Sequence, residues 1–261
     1  MDLGLKKRIA LVHGAGGGLG GAVARALAAE GATVIACDVN PDSVQQTCEA
    51  IEQAGGKAIA QVWDLADIDS FTQWHEALVS TVGPVDILFN NTGGPPPSLI
   101  QNIDRSVWEH HFSAMVLSVV TMTDLVLGHM KTQGWGRIIT SASSGVVIPI
   151  PNLGLSNALR STLVGWSKTL SREVGEHGVT SNVIIPGRIA TQRIVALDEA
   201  KAGRESRSYE SVVQESVGTI PLKRYGKPEE YGAVATFLAS QQASYLTGSV
   251  IRVDGGLIPN V

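Results

Sequence analysis

The chain has 261 residues, 44% of them hydrophobic and 17% charged, which is enough apolar material for one α/β domain to bury a large core without a second domain. Its 20 basic and 24 acidic residues give a formal charge of -4 and are scattered along the chain. No run of like charge suits nucleic acid or a membrane surface, so a small-molecule partner is expected. Met1 to Arg8 and the apolar run after it read as neither a signal peptide nor a spanning helix, and a cytoplasmic protein is expected. Cys37 and Cys48 match no metal spacing, so no metal is expected.

Ile9 to Val12 is apolar, too short for a helix and closed by glycine, hence a strand; Ala22, Val23, Ala26 and Leu27 follow at helical spacing. Thr33 to Cys37 predicts the next strand, Pro41 opens a helix with Val44, Cys48 and Ile51 on one face, and Ala58 to Val62 is a third strand. Phe71, Trp74 and Leu78 mark a helix and Val85 to Phe89 a strand. Ser106 to Met130 reads as one long helix, Arg137 to Thr140 as a strand, and Ser156 to Val174 as a second long helix. Ser181 to Ile185, a helix after Pro228, and Ser249 to Val253 complete an alternating series of about seven strands. The predicted fold class is α/β: a single Rossmann domain over residues 1–261 with a doubly wound parallel sheet. Arg188 to Gly218 breaks the rhythm, being long, polar and charged, and reads as a substrate lid or as a surface helical excursion, the lid being preferred.

Gly14, Gly18 and Gly20, with Leu19 between the last two, lie between the first strand and its helix. There the missing side chains let backbone amides approach a pyrophosphate. Gly16, Gly18 and Gly21 also fit a dinucleotide fingerprint, so placement counts for more than pattern. Asp38 ends the second strand, where a carboxylate accepts hydrogen bonds from a ribose 2′-hydroxyl and repels a 2′-phosphate; NAD is therefore expected ahead of NADP. Asn90-Asn91-Thr92-Gly93 falls at the carboxyl end of a central strand, where open α/β sheets bind ligands.

Together with Ser143, Pro186-Gly187 and the stretch Leu155-Ser156-Asn157-Ala158-Leu159-Arg160, these segments resemble a short-chain dehydrogenase/reductase from about Leu5 to Gly256. The likeness is to a divergent subgroup labelled β-ketoacyl-carrier-protein-reductase-like, whose members lack the full catalytic tetrad. The resemblance implies that Asp64 and Leu65 lie near the adenine. It also implies that Asn90 and Gly93 border the cofactor site and that Pro186, Gly187, Ile189 and Thr191 belong to the segment meeting the nicotinamide. In the family a tyrosine exchanges the substrate proton, a lysine four residues on holds the ribose, a serine orients the substrate oxygen and an asparagine supports a proton relay. Ser143 matches the serine, whereas Ser156 falls at the tyrosine, Arg160 at the lysine and Met115 at the asparagine; His13 stands where threonine is usual.

A serine alcohol ionises far less readily than a phenol of pKa about 10, so Ser156 alone is a poor proton donor. Arg160 shares a helix face with Ser156 and does not lose a proton at neutral pH, so it is expected mainly as a cofactor anchor. His110, His111, Tyr209, Tyr225, or water held by Ser143 and Ser156, are the candidate replacement acids, and Gly93 to Pro97 reads as a stiff wall or a rigid turn. The expected activity is NAD(H)-dependent interconversion of an alcohol and a carbonyl with an atypical acid/base site. One alternative is a catalytically silent NAD(H)-binding protein. Another, weaker, is a non-redox lyase resembling halohydrin dehalogenases, which keep the tyrosine and give up the nucleotide site. The resemblance further implies a homotetramer or homodimer packed through the helices carrying Met115 and Arg160, with Val116, Val119, Val120, Leu163 and Trp166 as apolar material.

Overall fold

The computed structural model describes residues 1–260. The first apolar run forms β1 (Ile9–His13), in which Ala10, Leu11 and Val12 are fully buried because helices cover both faces of the sheet. Strand β1 leads through the glycine run into α1 (Gly18–Ala29), followed by β2 (Thr33–Asp38), α2 (Pro41–Gln53), β3 (Lys57–Val62), α3 (Phe71–Thr81) and β4 (Ile87–Asn90). Asn40 caps α2 by accepting from the Ser43 amide, and Pro41 occupies the first turn, where no amide donor is needed.

The single long helix expected after β4 is instead divided. An α-helical segment α4 (Arg105–Phe112) passes through a π-helical turn at Ser113–Leu117 into α5 (Ser118–Gln133). The wide turn disturbs the carbonyl ladder, and the Ser118 hydroxyl donates to the Ala114 carbonyl at 2.7 Å within it. Arg105–Gln133 as a whole is long and apolar enough to cross a membrane by length and composition. Here its Met122, Val126 and Met130 pack in the core. Strand β5 (Gly136–Ser141), α6 (Gly154–Val174) and β6 (Val179–Pro186) follow. The interruption at 188–218 is two helices, α7 (Gln192–Glu205) and α8 (Tyr209–Thr219), before α9 (Pro228–Ala239) and β7 (Val250–Val253).

All seven strands are parallel, in the order β3-β2-β1-β4-β5-β6-β7. The order reverses between β1 and β4, so the loops leaving these two strands diverge and open a crevice at their carboxyl ends. One core, with Val23, Leu27, Val44, Ile51 and Tyr231, joins α1, α2 and α9 to one face. The other, with Trp63, Phe71, Leu78, Met122 and Leu170, joins α3, α5 and α6 to the opposite face. Val116, Val119 and Leu163, expected as subunit-contact material, are buried within the chain between α5 and α6 together with Met115 and Leu159. The exposed apolar side chains of α4 and the π-helical turn are Val107, Phe112 and Leu117.

His13 ends β1 fully enclosed, its ring edge-on to Trp63 at 6.1 Å, and neither ring nitrogen has a hydrogen-bond partner among the described residues. Burial disfavours the imidazolium and lowers its pKa to about 4. The folded pKa lies below the unfolded one, so His13 is neutral in both states above pH 7. Between 6.5 and 4 protons bind preferentially to the unfolded chain, and stability falls with pH. Urea unfolding is expected to show the wild type losing about 2 kcal/mol more than His13→Thr between pH 7 and pH 5. Equal losses would disprove the assignment.

Candidate functional site

A cleft of about 1130 Å³ lies along the carboxyl ends of the strands and collects residues from the glycine loop to α7. Its nucleotide end is built by backbone approach. Gly14 has a φ of 63°, a left-handed conformation that turns the chain out of β1, and the Ala15 amide donates to the Cys37 carbonyl at 2.9 Å. A Cβ on Gly20 would lie 2.1 Å from the Gly14 carbonyl oxygen, so this glycine lets α1 close on the turn. Gly17 precedes α1 without a capping side chain, which leaves the first-turn amides facing out, the arrangement an anion requires. A Cβ on Gly18 would lie 2.5 Å from Thr191 Cγ2, so the loop and the segment capping α7 form a narrow cradle that any larger side chain would fill. These features fit a dinucleotide pyrophosphate.

Gly14, Gly18, Leu19, Asp38, Asp64 and Leu65 border the cleft at this end. Asp38 accepts from the Gly16 amide at 3.0 Å through one oxygen and from the Asn40 amide at 3.1 Å through the other, and retains lone pairs for a ribose. Gly93, Pro186, Gly187, Ile189 and Thr191 border the middle of the cleft, and Ser143, Ser156 and Arg160 its floor and far wall. Two expected cofactor residues lie behind this surface: Gly20 packs within α1, and Asn90 is buried with its amide donating to Thr123 Oγ1 at 3.3 Å. Thr191 caps α7 by accepting from the Ile194 amide.

Ser143 accepts from the Gly145 amide at 3.1 Å, leaving its own hydroxyl hydrogen free to donate into the cleft. Ser156, on the first turns of α6, is 7% exposed and borders the same space. Arg160, one turn further, is engaged with main-chain carbonyls. Its Nη2 donates to Thr92 O at 3.0 Å and Gly93 O at 3.1 Å, and its Nη1 to Ser141 O at 3.3 Å. Burial lowers its pKa to about 10, so it stays cationic at neutral pH.

Tyr225 and Tyr209, named as substitute acids, do not border this cleft but a smaller pocket behind Thr191. The Tyr225 hydroxyl donates to the buried Asp198 at 2.7 Å, and Arg188 lies 2.9 Å from the same carboxylate, a cluster that ties α7 to the segment before α9. His110 and His111 do border the cleft, as does the buried Met115 of the π-helical turn. Helix α7 forms one of its walls through Ile194, Leu197 and Lys201. Sequence reasoning missed three contributors. Tyr231 donates to Ser141 Oγ at 2.8 Å from the opposite face of the sheet. The Asn157 amide donates to Ile150 O at 3.0 Å and holds the loop after Ser143. Arg193 donates to Pro95 O at 3.0 Å, joining α7 to the glycine-proline loop. The one available signal was a polar residue inside an otherwise apolar helical pattern at Tyr231.

A family profile described as enoyl-(acyl carrier protein) reductase matches residues 14–258. The chain belongs to that family, within the NAD(P)-dependent short-chain dehydrogenases/reductases. It is 32% identical to the 3-oxoacyl-(acyl-carrier-protein) reductase FabG of Thermotoga maritima, over 97% of this chain and 99% of that one. Among solved structures it matches L-sorbose reductase of Gluconobacter frateurii, complexed with NADPH and L-sorbose, with a TM-score of 0.93, 27% identity and full coverage of both chains. It also matches YwfH, an NADPH-dependent reductase involved in bacilysin biosynthesis, with a TM-score of 0.92, 28% identity, and 98% of this chain and 100% of that one covered. The expectation of NAD ahead of NADP finds no support in these relatives, both of which are described with NADPH.

Removing the guanidinium strands three carbonyls beneath the cleft. Arg160→Met is expected to destabilise the protein by about 3 kcal/mol in urea unfolding at pH 7. A loss below about 1 kcal/mol would mean that water replaces it.

Proposed function

We propose that the protein interconverts a small alcohol and its carbonyl compound with NAD(H), using a rebuilt proton-exchange site. The observation that carries this reading is the single cleft joining the glycine cradle to Ser143, Ser156 and His111. The dinucleotide, when bound, supplies or accepts the hydride. Ser143 orients the substrate oxygen through its free hydroxyl hydrogen, and Ser156 holds a water beside it. His111 is the titrating group: burial, with the His110 charge beside it, lowers its pKa below the ordinary imidazole value. Arg160 serves the cofactor by its charge and by holding the Thr92–Gly93 carbonyls in place.

Asp38 supports NAD, because a carboxylate already held at the end of β2 repels a 2′-phosphate, and no basic side chain replaces it within Gly14–Gly20. The NADPH-using relatives support the opposite choice. Closure of α7 and α8 over the substrate, and assembly as a homodimer or homotetramer in the cytoplasm with Phe112 and Leu117 in a subunit contact, complete this reading.

Calorimetry is expected to give NADH binding about tenfold tighter than NADPH, with Asp38→Ala narrowing the difference to about twofold. Tighter NADPH binding to the wild type would reverse the assignment. In a screen of carbonyl substrates, Ser143→Ala and His111→Gln are each expected to lower kcat by about a hundredfold. The reduction rate should rise as pH falls below 6.5 in the wild type and not in His111→Gln. Tight NADH binding without hydride transfer on any substrate would favour a silent dinucleotide-binding protein, a reading supported by the engagement of Arg160 with carbonyls.

A further inference from the structure

Several cationic groups around α7 and α8 are matched. Arg188 pairs with Asp198, Lys201 with Glu215, Arg207 with Glu205 and Glu215, and Arg224 with Glu230. Three arginines that border the cleft are not: the exposed Arg204 near the end of α7, and Arg160 and Arg193. Among the described residues neither Arg160 nor Arg193 has a carboxylate within salt-bridge distance, and both donate only to main-chain carbonyls.

Both converge on one point. A Cβ on Gly94 would lie 3.4 Å from Arg193 Nη2 and 3.6 Å from Arg160 Nη2, so the two guanidinium groups meet over a residue with no side chain. Like charges this close repel, and burial, together with the Arg193 charge, depresses Arg160. Arg160 is buried without a counter-charge while Arg193 is exposed to the solvent side, so an anion arriving at Arg193 relieves the repulsion between them. Arg193 uses one donor on Pro95 O and keeps the rest of its fork free, so it can hold an anionic group bidentately while Arg160 supplies field. The acidic residues bordering the cleft lie elsewhere: Asp38 and Asp64 end β2 and begin the loop after β3, and Glu205 is held by Arg207. In a chain of formal charge -4, this end of the cleft is locally cationic, which focuses anions.

We propose that Arg193 and Arg160 form an anion seat above Gly94 and that the substrate is an oxo acid or hydroxy acid whose carboxylate binds there. This rests on the oxidoreductase reading for the carbonyl and alcohol, but the seat itself is independent of turnover. The cofactor's pyrophosphate is the other source of an anion. The glycine loop and the α1 N-terminus already suit it, whereas Arg193 reaches away from them to the loop after β4.

The test is calorimetric titration of the NADH complex with oxo acids from pyruvate and acetoacetate to 2-oxoglutarate, each beside its methyl ester. At least one acid is expected to bind about tenfold tighter than its ester to the wild type. Arg193→Gln keeps a donor for Pro95 O but removes the charge and should bring that ratio to about two, while Arg193→Lys keeps the preference. NADH affinity should change less than about threefold in either variant. Acids and esters binding alike, no member of the panel binding, or an acid preference surviving in Arg193→Gln would each overturn the proposal. A loss of NADH affinity of about tenfold or more in Arg193→Gln would assign the pair to the pyrophosphate instead. Selective acid binding without hydride transfer would sink the oxidoreductase reading and leave the seat standing. Hydride transfer with equal rates and affinities for acids and esters would do the reverse.

Discussion

Arg160 sits where the loops leaving β4 and β5 come together, and its guanidinium is satisfied by the carbonyls of Thr92, Gly93 and Ser141. A planar cation with donors in fixed directions can bind three carbonyls from two loops at once, a task for which a compact ammonium is less suited. The end of β5 is held from the other side as well, because Tyr231 rises from α9 and donates to Ser141 Oγ, its phenol kept protonated by burial. The strand that delivers Ser143 is therefore fastened through both faces of the sheet. Arg137 does the same at the opposite end of β5, buried against the carbonyls of Gly136, Gly178 and Ser240. Two arginines without acidic partners thus bracket one central strand, and the cleft inherits its rigidity from them.

This constraint shapes the chemistry. A cation engaged by three carbonyls is held in place and stays charged at neutral pH. The cradle depends on Gly14, Gly18 and Gly20, where backbone lies too close for side chains. Ser143, Ser156 and His111, the last on α4 just before the π-helical turn, border the same cleft. Helix α7 adds the remaining wall and carries Arg193, which ties it to the loop after β4.

The alternation of strands and helices was readable in the sequence because each element carries its own period and its own punctuation. Glycine after β1, Asn40-Pro41 before α2 and Gly134 after α5 act through local backbone preferences that need no neighbours. Ser143 and Thr191 were placed by the family resemblance, whereas the same locality explains why the placement of Asp38 at the carboxyl end of β2 could be anticipated. The π-helical turn could not be, since the apolar pattern runs through it unbroken and only the carbonyl contacts around Ser118 reveal it. Val116, Val119 and Leu163 read as surface material because one stripe of apolar residues looks alike whether it meets another subunit or another helix of the same chain.

From its sequence alone this protein was determined to be a parallel, doubly wound α/β domain with a glycine cradle for a dinucleotide. Those conclusions follow from short-range chemistry: period, glycine spacing and residue identity. The tertiary structure alone decided the partners of the polar groups. It turned Arg160 toward three carbonyls, brought Tyr231 beneath Ser141, paired Tyr225 with Asp198 of α7, and set Arg193 beside Arg160 over Gly94. Such contacts join residues far apart in the chain, and a long side chain's direction depends on which distant backbone lies within its reach.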